Sequence, residues 1–129
     1  MVQNTESIMI IDDDPNLAFV LSERLKSVGY QTQSFCDSRQ AVKQLADVPP
    51  DLLISDVNMP GLNGFEVYDI IRSNPSTKHI PIIIITGLHE ARMQALSLTG
   101  RDVYFLSKPI ESSDLMKLVK VALSSPLEN

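Results

Sequence analysis

The stretch Ser7-Ile8-Met9-Ile10-Ile11-Asp12-Asp13-Asp14-Pro15 decides the reading of the fold. A compact apolar run of this length fits a strand, and it stops abruptly at three carboxylates. Pro15 suits the first turn of a helix, and an aspartate just before it suits the cap. Leu17, Leu21, Leu25 and Val28 then fall on one helical face, and Gly29 ends the helix.

Short apolar runs alternate with helical patterns along the rest of the chain. Tyr30 to Phe35 alternates and reads as a second strand, after which Ser38 caps a helix carrying Ala41, Val42 and Leu45. Pro49-Pro50 stops it. Leu52 to Ser55 is a third apolar run and ends at Asp56, followed by the turn signals Met59-Pro60-Gly61 and Asn63-Gly64. A helix through Phe65, Tyr68 and Ile71 is broken at Asn74-Pro75. Ile80 to Ile85 is the fourth strand, and its near-continuous apolar character fits a strand covered on both faces. A weaker helix is expected over about Glu90 to Leu98, closed by Gly100, and Val103 to Leu106 is the fifth strand. Leu115, Leu118, Val119, Ala122 and Leu123 give the last helix the cleanest periodicity in the chain. Five strands alternating with five helices predict an α/β domain with a parallel sheet and right-handed crossovers.

The chain has 129 residues, which fits one domain with one sizeable core. Hydrophobic residues make up 43% and charged residues 21%, an ordinary globular balance that excludes wholesale disorder. The formal charge of -5 disfavours nonspecific contact with nucleic acid or an anionic membrane. The longest apolar run, Ile80 to Ile85, is far too short to span a bilayer, and residues 1–6 carry no basic secretory n-region. A lone cysteine, Cys36, allows no internal disulfide and suggests a reducing, cytoplasmic setting. Of the 16 acidic residues 11 fall in the first 70 positions, against 4 of the 11 basic ones, so the acidic centre lies in the first half.

In open parallel sheets the site lies beyond the carboxyl ends of the strands. Those ends here are Asp12-Asp13-Asp14, Asp56, Thr86 and Lys108-Pro109. If the first and third strands are neighbours, several carboxylates meet at one edge. Like charges at close range raise one another's pKa, a cost that a cation in the site relieves. All-oxygen ligands suit a hard cation, Mg²⁺ in particular. One carboxylate beside it can act as a nucleophile toward a phosphoryl group, with a hydroxyl (Thr86) and an ammonium (Lys108) for the remaining oxygens.

The runs Ile10-Ile11-Asp12-Asp13-Asp14-Pro15, Ser55-Asp56-Val57-Asn58-Met59-Pro60-Gly61, Ile84-Ile85-Thr86-Gly87 and Leu106-Ser107-Lys108-Pro109 come in that order. Together they resemble the receiver (CheY-like) domain of bacterial two-component response regulators, over roughly residues 7–123. The resemblance implies a flavodoxin-like, doubly wound five-stranded sheet in the order 2-1-3-4-5. It implies that Asp56 is the phosphoacceptor and that Asp12, Asp13, Asp56 and the backbone carbonyl of Asn58 hold Mg²⁺. It gives Thr86 the role of switch hydroxyl and Lys108 that of the lysine pairing with the phosphoryl group. The Lys108-Pro109 bond matches one often cis in that family. Phe105 occupies the switch-aromatic position, with Tyr104 the alternative, because Gly100-Arg101-Asp102 looks like a one-residue insertion. Gly87 stands where the family usually has alanine. The partners implied are a sensor histidine kinase or phosphotransfer protein, and a downstream protein or output domain. The latter would read the face of the fourth helix, fifth strand and fifth helix, where Arg92, Arg101, Lys117 and Lys120 fall. Such a domain assists its own phosphorylation and dephosphorylation and is not a turnover enzyme. Residues 124–129 are a tail or the start of a linker, and the chain is either a complete regulator or the receiver piece of a longer one.

The other polar residues have plainer readings. Asp14 is a helix cap, His79 and His89 are loop residues, and Cys36 is a small, partly buried filler. Asp12, Asp14, Asn16 and Glu23 match a calcium loop in spacing, but Leu17 stands where its glycine is required. A flavin carrier would want a Ser/Thr/Gly-rich phosphate loop after the first strand, where this chain has aspartates. An aspartate-based phosphatase would want an Asp-x-Asp nucleophile there and a substrate cap, for which the chain has no room.

Overall fold

The structure is a computed structural model and describes residues 6–87 and 103–124. Its elements run β1 (Ser7–Ile11), α1 (Pro15–Ser27), β2 (Gln31–Phe35), α2 (Ser38–Asp47), β3 (Leu52–Asp56), α3 (Gly64–Ser73), β4 (Ile82–Thr86), β5 (Val103–Ser107) and α4 (Ser112–Ser124). The five strands form one sheet in the order β2-β1-β3-β4-β5, with all neighbours parallel. This is the doubly wound, flavodoxin-like arrangement that the sequence predicts. Four helices lie among the described residues. The helix expected over Glu90 to Leu98, with His89, Arg92, Gly100 and Arg101, lies outside them.

Strand alternation explains how one sheet serves two cores. Ile8, Ile10, Leu52, Ile54, Ile83 and Ile85 meet α1 and α4 on one side. Met9, Ile11, Leu53, Ile82 and Ile84 meet α2 and α3 on the other. β3 and β4 are buried at every position, which is why their sequences read as near-continuous apolar runs up to the polar residues at their ends. No helix among the described residues is long and apolar enough to cross a membrane.

Four local expectations need correction. Ser38 does not cap α2: Asp37 does, accepting the Arg39 backbone N–H, and Ser38 sits inside the first turn with 2% exposure. Val28 is not on the packed face of α1 but is its exposed C-cap, where the chain turns into Gly29 at φ 103°. The buried stripe is Ala18, Leu21, Ser22 and Leu25, with the Ser22 hydroxyl paired to Thr32 Oγ1 at 2.6 Å. Cys36 is exposed, because β2 is an edge strand and the chain has left the sheet by that residue. The fourth strand starts at Ile82, two residues later than the apolar run, with Pro81 just ahead of it.

Candidate functional site

Parallel registry brings the strand ends level. Ile11 lies beside Ser55, Asp56 beside Ile85, and Thr86 beside Ser107. The ladder runs on by one bond at each exit, with Asp12 N–H donating to Phe35 O, Val57 N–H to Ile85 O and Lys108 N–H to Thr86 O, each at 3.0 Å. Asp12, Asp56, Thr86 and Lys108 are therefore set by the backbone ladder of the sheet and not by loop conformation. The Lys108-Pro109 bond is cis.

Asp12, Asp13 and Asp56 each place a carboxylate oxygen within 4.8 Å of the others. Asp12 is wholly buried, Asp56 is 4% exposed, and Asp13 faces solvent. Lys108 Nζ stands 3.5 Å from Asp56 Oδ1. Asp12 Oδ1 accepts the Asp14 backbone N–H at 2.9 Å, while its buried Oδ2 has no hydrogen-bond partner. Burial pushes the Asp12 pKa up to about 6, helped by the charges of Asp56 and Asp13 and opposed by the Asp14 N–H and Lys108. Burial likewise raises Asp56, with Lys108 the chief opposing influence. Desolvation thus outweighs the mutual repulsion that the sequence alone suggests.

A buried carboxylate oxygen without a partner costs free energy unless something positive meets it. Two buried carboxylates and one exposed one, opening to solvent, suit a hard divalent cation that keeps part of its water. Asn58 is exposed two residues beyond Asp56, at the start of the loop to α3. Thr86 is 2% exposed at the end of β4. Phe105 packs in the α2–α3 layer, while Tyr104 packs in the α1–α4 layer. Asp14 is the N-cap of α1, and Glu23 pairs at the surface with Lys26 at 3.7 Å, so the calcium-loop spacing gathers no site.

Two residues that support the site escaped the sequence reading. Gly64 reads only as a turn, yet a Cβ there would lie 2.6 Å from the Asp56 carbonyl oxygen and 2.9 Å from Val57 Cα. Its neighbour Asn63 caps α3 in a reciprocal box with Glu66, and that Asn-x-x-Glu spacing was visible in the chain. Ser38 reaches the same loop from α2, a contact no local pattern signals.

Residues 8–120 match the model of the response regulator receiver domain. The chain belongs to that family. It is 31% identical over 119 residues to the DNA-binding response regulator MtrA of Mycolicibacterium smegmatis, covering 92% of this chain and 50% of that protein. The chain spans about half or less of the length of the curated relatives it matches. Among solved structures, the receiver domain of a signal transduction histidine kinase from Syntrophus aciditrophicus superposes with a TM-score of 0.86 at 33% identity, covering 97% of this chain and 95% of that one. The receiver domain of the sensor histidine kinase PA1611 from Pseudomonas aeruginosa, solved with a magnesium ion in its active-site cleft, gives 0.84 at 26% identity, covering 95% and 100%.

Proposed function

We propose that this domain is a phosphorylation-controlled switch in which Asp56 accepts the phosphoryl group. Receiver domains are phosphoacceptor switches that take this group from histidine kinases. The observation that carries the assignment is the meeting of Asp12, Asp13 and Asp56 with Lys108 3.5 Å from Asp56, around a buried oxygen that lacks a partner. Asp12, Asp13, Asp56 and the Asn58 carbonyl would hold Mg²⁺, which when bound neutralises phosphoryl oxygens. An Asp56 oxygen forms the new bond to phosphorus as the P–N bond of a phosphohistidine breaks, the electron pair leaving with the imidazole. The added charge, up to about two units, draws the Lys108 ammonium and the Thr86 hydroxyl. Phe105 follows Thr86, since its side of β5 faces away from α4 and toward the α2–α3 layer.

The reader of this change is a downstream protein or an output domain, docking over β5, α4 and the fourth helix expected from the sequence. Exposed Lys117 and Lys120 on α4 favour an acidic partner surface there. The domain itself makes no direct contact with nucleic acid, given its charge of -5. The exposed, unpaired Cys36 supports a reducing, cytoplasmic setting.

The test is intact mass after incubation with acetyl phosphate and Mg²⁺. Wild type gains one phosphoryl group and Asp56→Asn gains none. Equal gain by the variant places the acceptor elsewhere.

A further inference from the structure

We propose that Ser38 is a positioning residue for the carboxylate site: its hydroxyl fixes the loop that carries Asn58 and so sets the site's affinity for a divalent cation. The inference rests on the metal reading given above. Ser38 is 2% exposed and leaves the capping of α2 to Asp37, so its hydroxyl serves another element. Ser38 Oγ accepts the Leu62 backbone N–H at 3.0 Å and donates, over a longer 3.4 Å, to Pro60 O. Between those two contacts lies Gly61 at φ 81°, a conformation open to glycine at little cost. A Cβ at Gly61 would come within 3.5 Å of the same Ser38 oxygen. The hydroxyl therefore faces a turn built around it.

The loop has a second anchor at its base. Gly64 N–H donates to Val57 O at 2.9 Å, and the missing Gly64 side chain lets the start of α3 press on the end of β3. Residues 58–63 leave and return through that base, and Ser38 holds the far side. Asn58 sits on the outgoing limb, two residues beyond Asp56 at the end of β3. With the Ser38 contact gone, the limb keeps its base and the buried Met59 side chain but loses its polar anchor, so a cation ligand at Asn58 must be ordered further on binding. Partners that orient metal ligands from outside the coordination shell are commonly worth ten- to a hundredfold in affinity, by rough precedent. One hydrogen bond to a backbone N–H belongs at the lower end.

The experiment is calorimetric titration of Mg²⁺ into wild type, Ser38→Ala, Ser22→Ala and Asp13→Ala, each well below its melting temperature. Ser22→Ala removes another buried, hydrogen-bonded hydroxyl, one that lies away from the loop. We expect Ser38→Ala to bind Mg²⁺ about tenfold more weakly, and Ser22→Ala to melt lower while binding as wild type does. Ser38→Ala binding within twofold of wild type overturns the inference and leaves the metal reading standing. Wild type and Asp13→Ala binding alike overturns the metal reading, and this inference with it. Coupling is reciprocal, so wild type alone supplies a further test, which holds even if Ser38→Ala does not fold. Saturating Mg²⁺ should slow hydrogen exchange of the Leu62 amide by about tenfold relative to the remote Gly29 amide. Equal slowing of both amides overturns the proposal.

Discussion

Asp12 should make the metal-free domain lose stability as pH rises, and Asp12→Asn should abolish most of that loss. Asp12 is wholly buried and its pKa rises from 3.8 to about 6 on folding. Between those values the folded state binds the proton more tightly than the unfolded state does. Stability therefore falls as pH rises through the window, and the full cost is present above about 6. A shift of this size corresponds to about 3 kcal/mol. Asp56 is raised as well, so the pair titrates as a coupled unit and the loss belongs to both. Asn at position 12 keeps an oxygen for the Asp14 N–H and presents an amide to the neighbouring carboxylates, so it removes the buried charge without a new void. In excess chelator at pH 7.5 the variant should be more stable by about 1–3 kcal/mol, or roughly 4 °C per kcal/mol for a domain of this size. Mg²⁺ at ten times its dissociation constant should return about 1.4 kcal/mol to wild type, less at pH 5 where protons compete, and far less to the variant. Melting temperatures of both proteins from pH 4 to 8, with and without Mg²⁺, measure all of this. Wild-type and variant curves that stay parallel in chelator would show that Asp12 does not titrate in this window, and the burial argument would fail.

Three other outcomes follow from the same geometry. Lys108→Ala should change stability by less than about 1 kcal/mol, because the lysine is partly exposed. It should still accept a phosphoryl group, but the amide spectral changes on phosphorylation should shrink away from Asp56; full-sized changes on β5 and α4 would remove Lys108 from the switch. Gly64→Ala should cost about 1–3 kcal/mol in a urea titration, because the new Cβ meets backbone at 2.6 Å. Gly87→Ala should be nearly neutral, within about 0.5 kcal/mol, since its Cβ would rest at an ordinary 3.5 Å on the stem of Lys108; a large loss there would contradict the placement of that stem.

What the sequence made legible is what depends on neighbours in the chain. The strand exits at Asp12, Asp56, Thr86 and Lys108 each sit within two residues of the end of an apolar run, so a strand-by-strand reading finds them and the parallel sheet gathers them. Asp14 as a cap and Asn63 with Glu66 as a box are equally local. The misread features are long-range. Val28 looks like a fourth member of the α1 stripe, but the face is set by the sheet, which selects Ala18 and Ser22. Cys36 looks like core until the strand order puts β2 at an edge. Ser38 as a cap is a good local guess, displaced because Asp37 is the better acceptor and Leu62 claims the hydroxyl. The sequence favours Phe105 over Tyr104 for the switch position but does not say which layer either joins. Register separates them, since Phe105 lies beside Ile84 and shares its layer, while Tyr104 lies beside Ile83 and shares the other.

The arrangement also divides the labour between rigid and yielding parts. The carboxylates that cost stability leave β1 and β3, next to one another inside the sheet and buried at nearly every position. Only such strands can hold buried charges together without drifting apart. Of the groups proposed to respond, Phe105 lies in β5 and Lys108 directly follows it; β5 is an edge strand buried fully at Leu106 alone. Thr86 joins the two, since it ends a buried strand yet accepts the Lys108 N–H through its own carbonyl. A charge added at Asp56 therefore meets a fixed acidic wall on one side and a loosely packed edge on the other. The free energy released when Lys108 follows that charge can move β5 more cheaply than it can move β1. The docking face proposed beside β5 and α4 lies on this more exposed side, away from the acidic exits of β1 and β3.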